Sequence, residues 1–262
     1  MKQVVTIAGS DSGSGAGIQA DLKSFHANGV FGCTVITAIT AQNTLAVTQA
    51  YDLPAEIINA QIDAVFEDFE IAAVKTGMLS STVIVETVAT KLEQWNPSNI
   101  VVDPVMISKS RFLLLQPDAV EKVKQRMFPL ATVVTPNIYE AEHLTGLSIQ
   151  NLDQAKEATK HLMELGCGAV LIKGGHLESN QATDVLYDGA EIHVFSEERI
   201  DTENTHGTGC TYASAIAAHL GRDRSLVDAV AHAKRYITGA IRHSPDIGHG
   251  QGPLDHFFFI EK

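Results

Sequence analysis

At 262 residues the chain is slightly longer than a usual single domain, but α/β folds often reach this size as one unit, and an apolar fraction of 45% allows a sizeable core. The formal charge is −12, from 31 acidic against 19 basic side chains, which argues against nucleic-acid binding because phosphate backbones demand clustered Lys and Arg. Cys33, Cys167 and Cys210 are odd in number and lack a C-x-x-C pair, no signal-peptide pattern leads the chain, and no apolar run reaches spanning length; the expectation is a cytoplasmic protein without disulfides, structural zinc or a membrane segment.

Residues 4–8 form a short apolar strand, followed by a glycine-rich turn over 9–17 and an amphipathic helix to Asn28, the opening of a βαβ unit. The glycines do not have the dinucleotide-fingerprint spacing, and no Gly-Lys-Ser/Thr completes a P-loop. The turn reads either as plain chain reversal or as a substrate-hugging loop in which Asp11 or a glycine N–H touches a small ligand. Residues 32–41 are continuously apolar and β-branched, the signature of a strand buried on both faces. They end at Gln42, Asn43 and Thr44, which can donate and accept hydrogen bonds at a strand's carboxyl edge, where open sheets place ligands. A helix with an acidic face over 54–69, a strand over 71–75 and a helix over 80–95 follow.

Residues 100–102 are a buried strand ending at Asp103 before Pro104; the carboxylate suits a metal or phosphate-side acid and equally a turn or helix cap. A strand over 133–135 leads to Asn137 and Glu140, three residues apart at a helix start. Their oxygens either share one face or form a reciprocal cap, capping being the plainer reading. The strand over 169–173 ends in Lys173 beside two glycines, a phosphate contact or a solvated lysine. Residues 182–187 and 191–195 alternate about Asp188 and Gly189 as a β-hairpin.

Residues 204–211 precede an Ala-rich run over 212–220 that reads as a buried helix. Gly207 and Gly209 therefore sit where a loop becomes a helix N-terminus, an anion site whose backbone a phosphate can approach without a Cβ in the way. Cys210 opens that helix, where a thiol's pKa is lowered and it can serve as base or nucleophile. The same residues also read as a helix cap followed by a buried small side chain. The element order predicts one α/β domain over 1–262: three layers, a mostly parallel central sheet and a late hairpin. Asp11, Gln42, Asn43, Asp103, Asn137, Glu140, Lys173 and Cys210 then fall along one sheet edge. Acids for a divalent ion, a lysine and an anion hole carrying a base are the parts phosphoryl transfer needs.

The segments VTIAGSDSGSGAGIQAD (5–21), TAQNT (40–44), KTGM (75–78), VDPVM (102–106), TPNIYEAE (135–142), IKGGH (172–176) and NTHGTGC (204–210) together resemble the hydroxymethylpyrimidine/phosphomethylpyrimidine kinases of thiamine biosynthesis, in the ribokinase-like superfamily. The match runs in order over nearly the whole chain. It implies an αβα sandwich that uses Mg-ATP to phosphorylate 4-amino-5-hydroxymethyl-2-methylpyrimidine and then its monophosphate, usually as a homodimer. It further implies that Gly9, Asp11 and Gln42 face the pyrimidine, and that Asn137, Glu140 and Asp103 serve magnesium. Lys173, Lys234, Asp103 and Thr208 fall to the ATP phosphates, Gly207, Thr208 and Gly209 to the anion hole, and Cys210 to the base. After Met106 the family usually has a glycine close behind Lys-Ser, whereas this chain reads Lys109, Ser110, Arg111, Phe112, which leaves the shape of that loop open. The alternatives are a pyridoxal or pyridoxine kinase of the same branch, or dual activity; a non-catalytic pyrimidine-binding protein; and a cysteine hydrolase partnered by His206 or His176. Gln42 and Asn43 favour the aminopyrimidine, since an amide can donate to one ring position and accept from another.

Overall fold

A computed structural model describes residues 1–106, 115–175 and 180–260. Its first half alternates β1 (Gln3–Asp11), α1 (Gly17–Ala27), β2 (Phe31–Gln42), β3 (Val47–Asp52), α2 (Ala55–Asp68), β4 (Ile71–Thr76), α3 (Thr82–Trp95) and β5 (Ile100–Val102). The second half adds α4 (Pro117–Arg126), β6 (Val133–Val134), α5 (Ile138–Thr145), α6 (Leu152–Met163), β7 (Val170–Ile172), β8 (Gln181–Tyr187), β9 (Ile192–Glu198), α7 (Thr208–Gly221) and α8 (Leu226–Arg242). Local chemistry fixes many of the ends. Ser81, Asn137, Asn151 and Ser225 cap their helices with side-chain oxygens, Pro117 starts α4, and Asn96 and Gly146 turn left-handed to stop α3 and α5.

The strands form one nine-stranded sheet in the order β3-β2-β1-β4-β5-β6-β7-β8-β9. Pairing is parallel from β2 through β7 and antiparallel for β3, β8 and β9. One core, with Ile58, Ile84, Val88, Phe128 and Leu162, lies under α2 to α6; the other, with Phe25, Ala213, Ile216 and Val230, lies under α1, α7 and α8. The three-layer ribokinase-like arrangement with a late hairpin is therefore present. α7 is almost wholly buried, and its small residues let it approach the sheet: a Cβ on Gly221 would stand 2.7 Å from a Val4 methyl.

Two readings of the sequence need correction. β2 is not buried on both faces: Ile39, paired with Tyr51 of β3, is 49% exposed and Phe31 is 43% exposed. Strand β3 itself carries polar, exposed residues and gave no apolar signal. Asn43 is a turn former, not a strand-end ligand, since its Oδ1 accepts the N–H groups of Leu45 and Ala46.

Chain order along the sheet reverses around β1, which pairs with β2 on one side and β4 on the other. Such a switch point opens a crevice at the carboxyl ends of the strands. There the β1–β2 register shifts between Ala8 and Ser10: Gly9 alone stands opposite Thr37 and Ala38, so the extra residue of the bulge lies on β2.

Candidate active site

At the crevice, Gly207 starts α7 in the left-handed region, with φ 81°. A Cβ there would lie 1.8 Å from the Gly15 carbonyl oxygen, so only glycine allows the two loops to touch. Thr208 Oγ1 donates to the Thr205 carbonyl at 2.9 Å, which orders the turn before α7. One residue on, a Cβ on Gly209 would meet Lys173 Nζ at 3.5 Å and Asp103 Oδ2 at 3.6 Å. The first-turn N–H groups of α7, which have no acceptor within the helix, thus open onto a gap bounded by a cation and a carboxylate.

Lys173 and Asp103 come from the ends of β7 and β5 and pair at 2.7 Å, with Thr135 Oγ1 donating to the same Asp103 oxygen at 3.1 Å. The bridge between Asn137 and Lys173 carries β6–β7 pairing out to this point. Asp103 Oδ2 is buried and has no partner among the described residues. Glu140 closes a capping box with Asn137, its Oε2 accepting the Asn137 N–H at 2.8 Å and its own N–H reaching Asn137 Oδ1 at 2.9 Å. Burial, opposed by Lys173 and reinforced by Asp103, pushes the Glu140 carboxyl up to about 7. Two buried carboxylates, one with an idle oxygen and one resisting ionisation, fit a divalent cation held largely through water; among the described residues no group of three or more ligating side chains exists. Asn137 Oδ1 and Glu140 Oε2 each already accept one backbone N–H within this cap.

Asp11 lines the cavity, but both of its carboxylate oxygens are already engaged by the protein. Its Oδ1 accepts the Gly13 N–H at 2.8 Å, and its Oδ2 accepts Gly15 N–H at 3.0 Å, Ala16 N–H at 2.8 Å and His206 Nε2 at 3.0 Å. Burial alone would raise its pKa, but the bonds from His206, Gln42 and the backbone outweigh that and hold it at about 2. The carboxylate is spent on shaping the glycine-rich loop. Gly9 and Gln42 do line the cavity, with Met78 packed against Gly9.

Cys210 faces the same cavity and accepts a hydrogen bond from the Gly17 N–H, yet its thiol is not lowered. Burial pushes it up to about 11, with Asp21 and Asp103 adding to the rise and Lys75 and the Gly17 N–H opposing it. The expectation from helix position omitted burial first, and then the carboxylates of Asp21 on α1 and Asp103 after β5. Beneath the cysteine, fully buried Lys75 binds both oxygens of Asp21 at 3.0 and 2.9 Å, and Thr6 and Ser214 donate to the same carboxylate at 2.6 and 2.7 Å. Ser214 lies one turn after Cys210 on α7. Sequence reading passed over Lys75 as a site residue, although KTGM was among the matching motifs; a lysine inside an apolar strand was the available signal.

Lys234 lines the cavity but pairs with Asp184 at 2.7 Å, and Asp184 also takes the Gly174 N–H at 2.9 Å. Its charge is therefore shared with an internal partner, as that of Lys173 is with Asp103. Beyond it Ile237 and Ile241 of α8 give an apolar wall, which no motif disclosed. The whole cavity measures about 1550 Å³, from Gly9 and Gln42 past Cys210 to Ile241, room for two ligands end to end. His176 and the stretch from Lys109 to Phe112 lie outside the described residues.

Comparison with known proteins agrees with this geometry. Residues 11–255 match the family described as phosphomethylpyrimidine kinase. The chain is 49% identical over 258 residues to the thiamine biosynthesis bifunctional protein ThiED of Geobacter sulfurreducens, matching 98% of itself but spanning only 53%, about half, of that relative's length. It is also 49% identical to the hydroxymethylpyrimidine/phosphomethylpyrimidine kinase of Rhizobium meliloti, over 97% of this chain and 96% of that one. Among solved structures, an ADP complex of Bacillus subtilis pyridoxal kinase superimposes with a TM-score of 0.92 at 38% identity, covering 99% of this chain and 98% of that one.

Proposed function

The chain belongs to the phosphomethylpyrimidine kinase family, and from that premise we propose that it transfers the terminal phosphate of ATP to the hydroxymethyl group of 4-amino-5-hydroxymethyl-2-methylpyrimidine, and then phosphorylates the monophosphate to the diphosphate, in thiamine biosynthesis. The observation that carries the reading is the position of Cys210, one residue from the gap that the first turn of α7 shares with Lys173 and Asp103. An attacking hydroxyl beside Cys210 and a phosphate in that gap would be neighbours, which is the positioning such a transfer requires.

In this reading the pyrimidine lies over Gly9 and Met78 with Gln42 at its edge, and the nucleotide runs toward Ile237 and Ile241. Lys173 and the first-turn N–H groups of α7 hold the phosphates. Magnesium, held with its waters by Glu140 and Asp103, would neutralise phosphate charge at the gap. Cys210, a thiol in the free protein, would first give its proton to solvent and, as the thiolate, take the hydroxyl proton as that oxygen bonds the terminal phosphorus and ADP leaves; Lys75 is the cation that favours the thiolate. The reading further includes a homodimer, supported by Ile39 and Tyr51, a cross-strand pair at the β2–β3 end that is 49% and 63% exposed. It also includes a cytoplasmic setting, which suits three free cysteines.

ATP consumption with magnesium, with the pyrimidine, its monophosphate and pyridoxal supplied in turn and products resolved by mass, tests the assignment. Conversion of both pyrimidines is expected. Turnover of pyridoxal alone would replace it with the second reading, which the likeness to pyridoxal kinase favours. Turnover of none would leave a binding protein.

A further inference from the structure

At the end of α7 remote from Cys210, the turn into α8 and the first half of α8 gather Arg222, Arg224, Arg235, His219 and His232. With 14 residues in α7, about 21 Å separates this cluster from the anion gap. Arg224 Nη1 and Arg235 Nη2 approach the two ring nitrogens of His232, Nε2 and Nδ1, at 2.5 and 3.0 Å. A guanidinium only donates, and a neutral imidazole has one acceptor nitrogen, so at most one contact is a hydrogen bond; the other sets N–H against N–H whichever tautomer is present. Protonating His232 would make both contacts repulsive.

His219 sits against this pair. It is 6% exposed, its ring centroid lies 5.1 Å from that of His232, and its Nδ1 has no partner among the described residues. Burial first, then His232 and all three arginines, push its pKa down to about 4, so it lies within the field of the whole cluster as a neutral ring. Arg126 and Arg242 have carboxylate partners, whereas among the described residues no ion pair involves Arg222, Arg224 or Arg235. The acids nearby are engaged elsewhere: Asp223 with Lys2 at 2.8 Å, and Asp228 with the Ser225 hydroxyl at 2.7 Å. In a chain of net charge −12, Arg224 and Arg235 meet at His232 with no carboxylate paired to either among the described residues, and Arg222, nearby, donates to the Asn28 carbonyl at 3.0 Å.

We propose that this cluster is a second, non-catalytic oxyanion site that takes a phosphate group. One oxyanion placed among the guanidiniums accepts from Arg224 and Arg235 at once and removes the donor-against-donor contact at His232. A dianionic phosphate suits three cations and planar forks better than a carboxylate does. The carboxyl end of α7 disfavours an anion through its dipole, a weak effect at an exposed helix end that charge-assisted bonds from two arginines outweigh.

The test is a titration of the intact protein with inorganic phosphate, followed through the imidazole ring resonances of His219 and His232 at constant ionic strength. Saturable shifts of both rings are expected. In the Arg224→Gln/Arg235→Gln double variant the affinity should fall about tenfold or more, with the circular dichroism spectrum unchanged. Neither arginine lines the catalytic cavity, so basal turnover should also be unchanged. Rings that do not respond, shifts reproduced by chloride, or equal affinity in the double variant would each overturn the site. So would sedimentation showing that a second copy of the chain covers the cluster and blocks the phosphate response.

Discussion

Asp11 and His206 are 195 positions apart and meet at 3.0 Å, joining the loop after β1 to the turn before α7. The His206 ring packs where a Cβ on Gly15 would stand, 2.1 Å from its Cδ2, while Gly207 beside it closes on the Gly15 carbonyl. One side-chain hydrogen bond and two missing side chains thus hold the proposed pyrimidine side against the proposed phosphate side.

Asp11→Asn should therefore cost more than a surface change. The amide keeps one acceptor but loses the charge that four donors share, so unfolding free energy should fall by about 2 kcal/mol at neutral pH. The folded pKa of Asp11, about 2, lies below its usual 3.8, so the stabilisation is fully present above the usual value and is lost as pH falls through the folded one. Urea melts of wild type and variant should diverge at neutral pH and converge as pH falls from about 4 to about 2. A gap that stays constant over that window would show that the carboxylate charge is not what holds the loop.

Cys210 should behave as a protected thiol. With its pKa at about 11, alkylation by iodoacetamide in the free protein should be slow at neutral pH and accelerate as pH rises. Cys210→Ala should reduce turnover by about 100-fold or more while ATP affinity changes little, because a proton acceptor is lost and the backbone cradle is kept. Unchanged turnover would remove Cys210 from the chemistry.

The order of elements was legible because buried parallel strands and capped helices leave strong local signals: residues 100–102 as a strand, Asn137 as a cap, Gly207 and Gly209 before a small-residue helix. The weak places share a cause. β3 is an exposed edge strand with residues such as Thr48 and Gln49, and nothing in its own pattern announces that it pairs with β2. Asp11 and Cys210 stand out in the sequence as candidates, but the His206 contact of the first, and the burial and the charges of Lys75, Asp21 and Asp103 that set the thiol of the second, do not. Local sequence reports which atoms are present; the charge around them is set by residues far along the chain.

The two glycines of the anion gap should separate by phenotype. Gly207→Ala places a Cβ against a backbone oxygen that cannot yield, at a positive φ, and should cost about 3 kcal/mol of stability together with the joining of the two loops. Gly209→Ala meets only ordinary contacts and should fold nearly normally, but its methyl occupies the space between Lys173 and Asp103. Its thermal melt should lie within a few degrees of wild type, while turnover falls about tenfold or more. Equal losses of stability in both variants would contradict the distinction.

Lys75 offers the sharpest test of how the site tunes its cysteine. Lys75→Met leaves the Asp21 carboxylate buried with only the Thr6 and Ser214 hydroxyls, and should cost about 3–5 kcal/mol. Adding Asp21→Asn removes the stranded charge, so the double variant should regain most of that loss, with a coupling energy above about 2 kcal/mol in a double-mutant cycle. Recovery of stability need not bring recovery of activity. Lys75 lowers the Cys210 thiol and Asp21 raises it, so the two effects partly offset when both charges go, whereas Lys75→Met alone should shift the alkylation profile of Cys210 to higher pH. An alkylation profile indifferent to Lys75→Met would confine the lysine to a structural role.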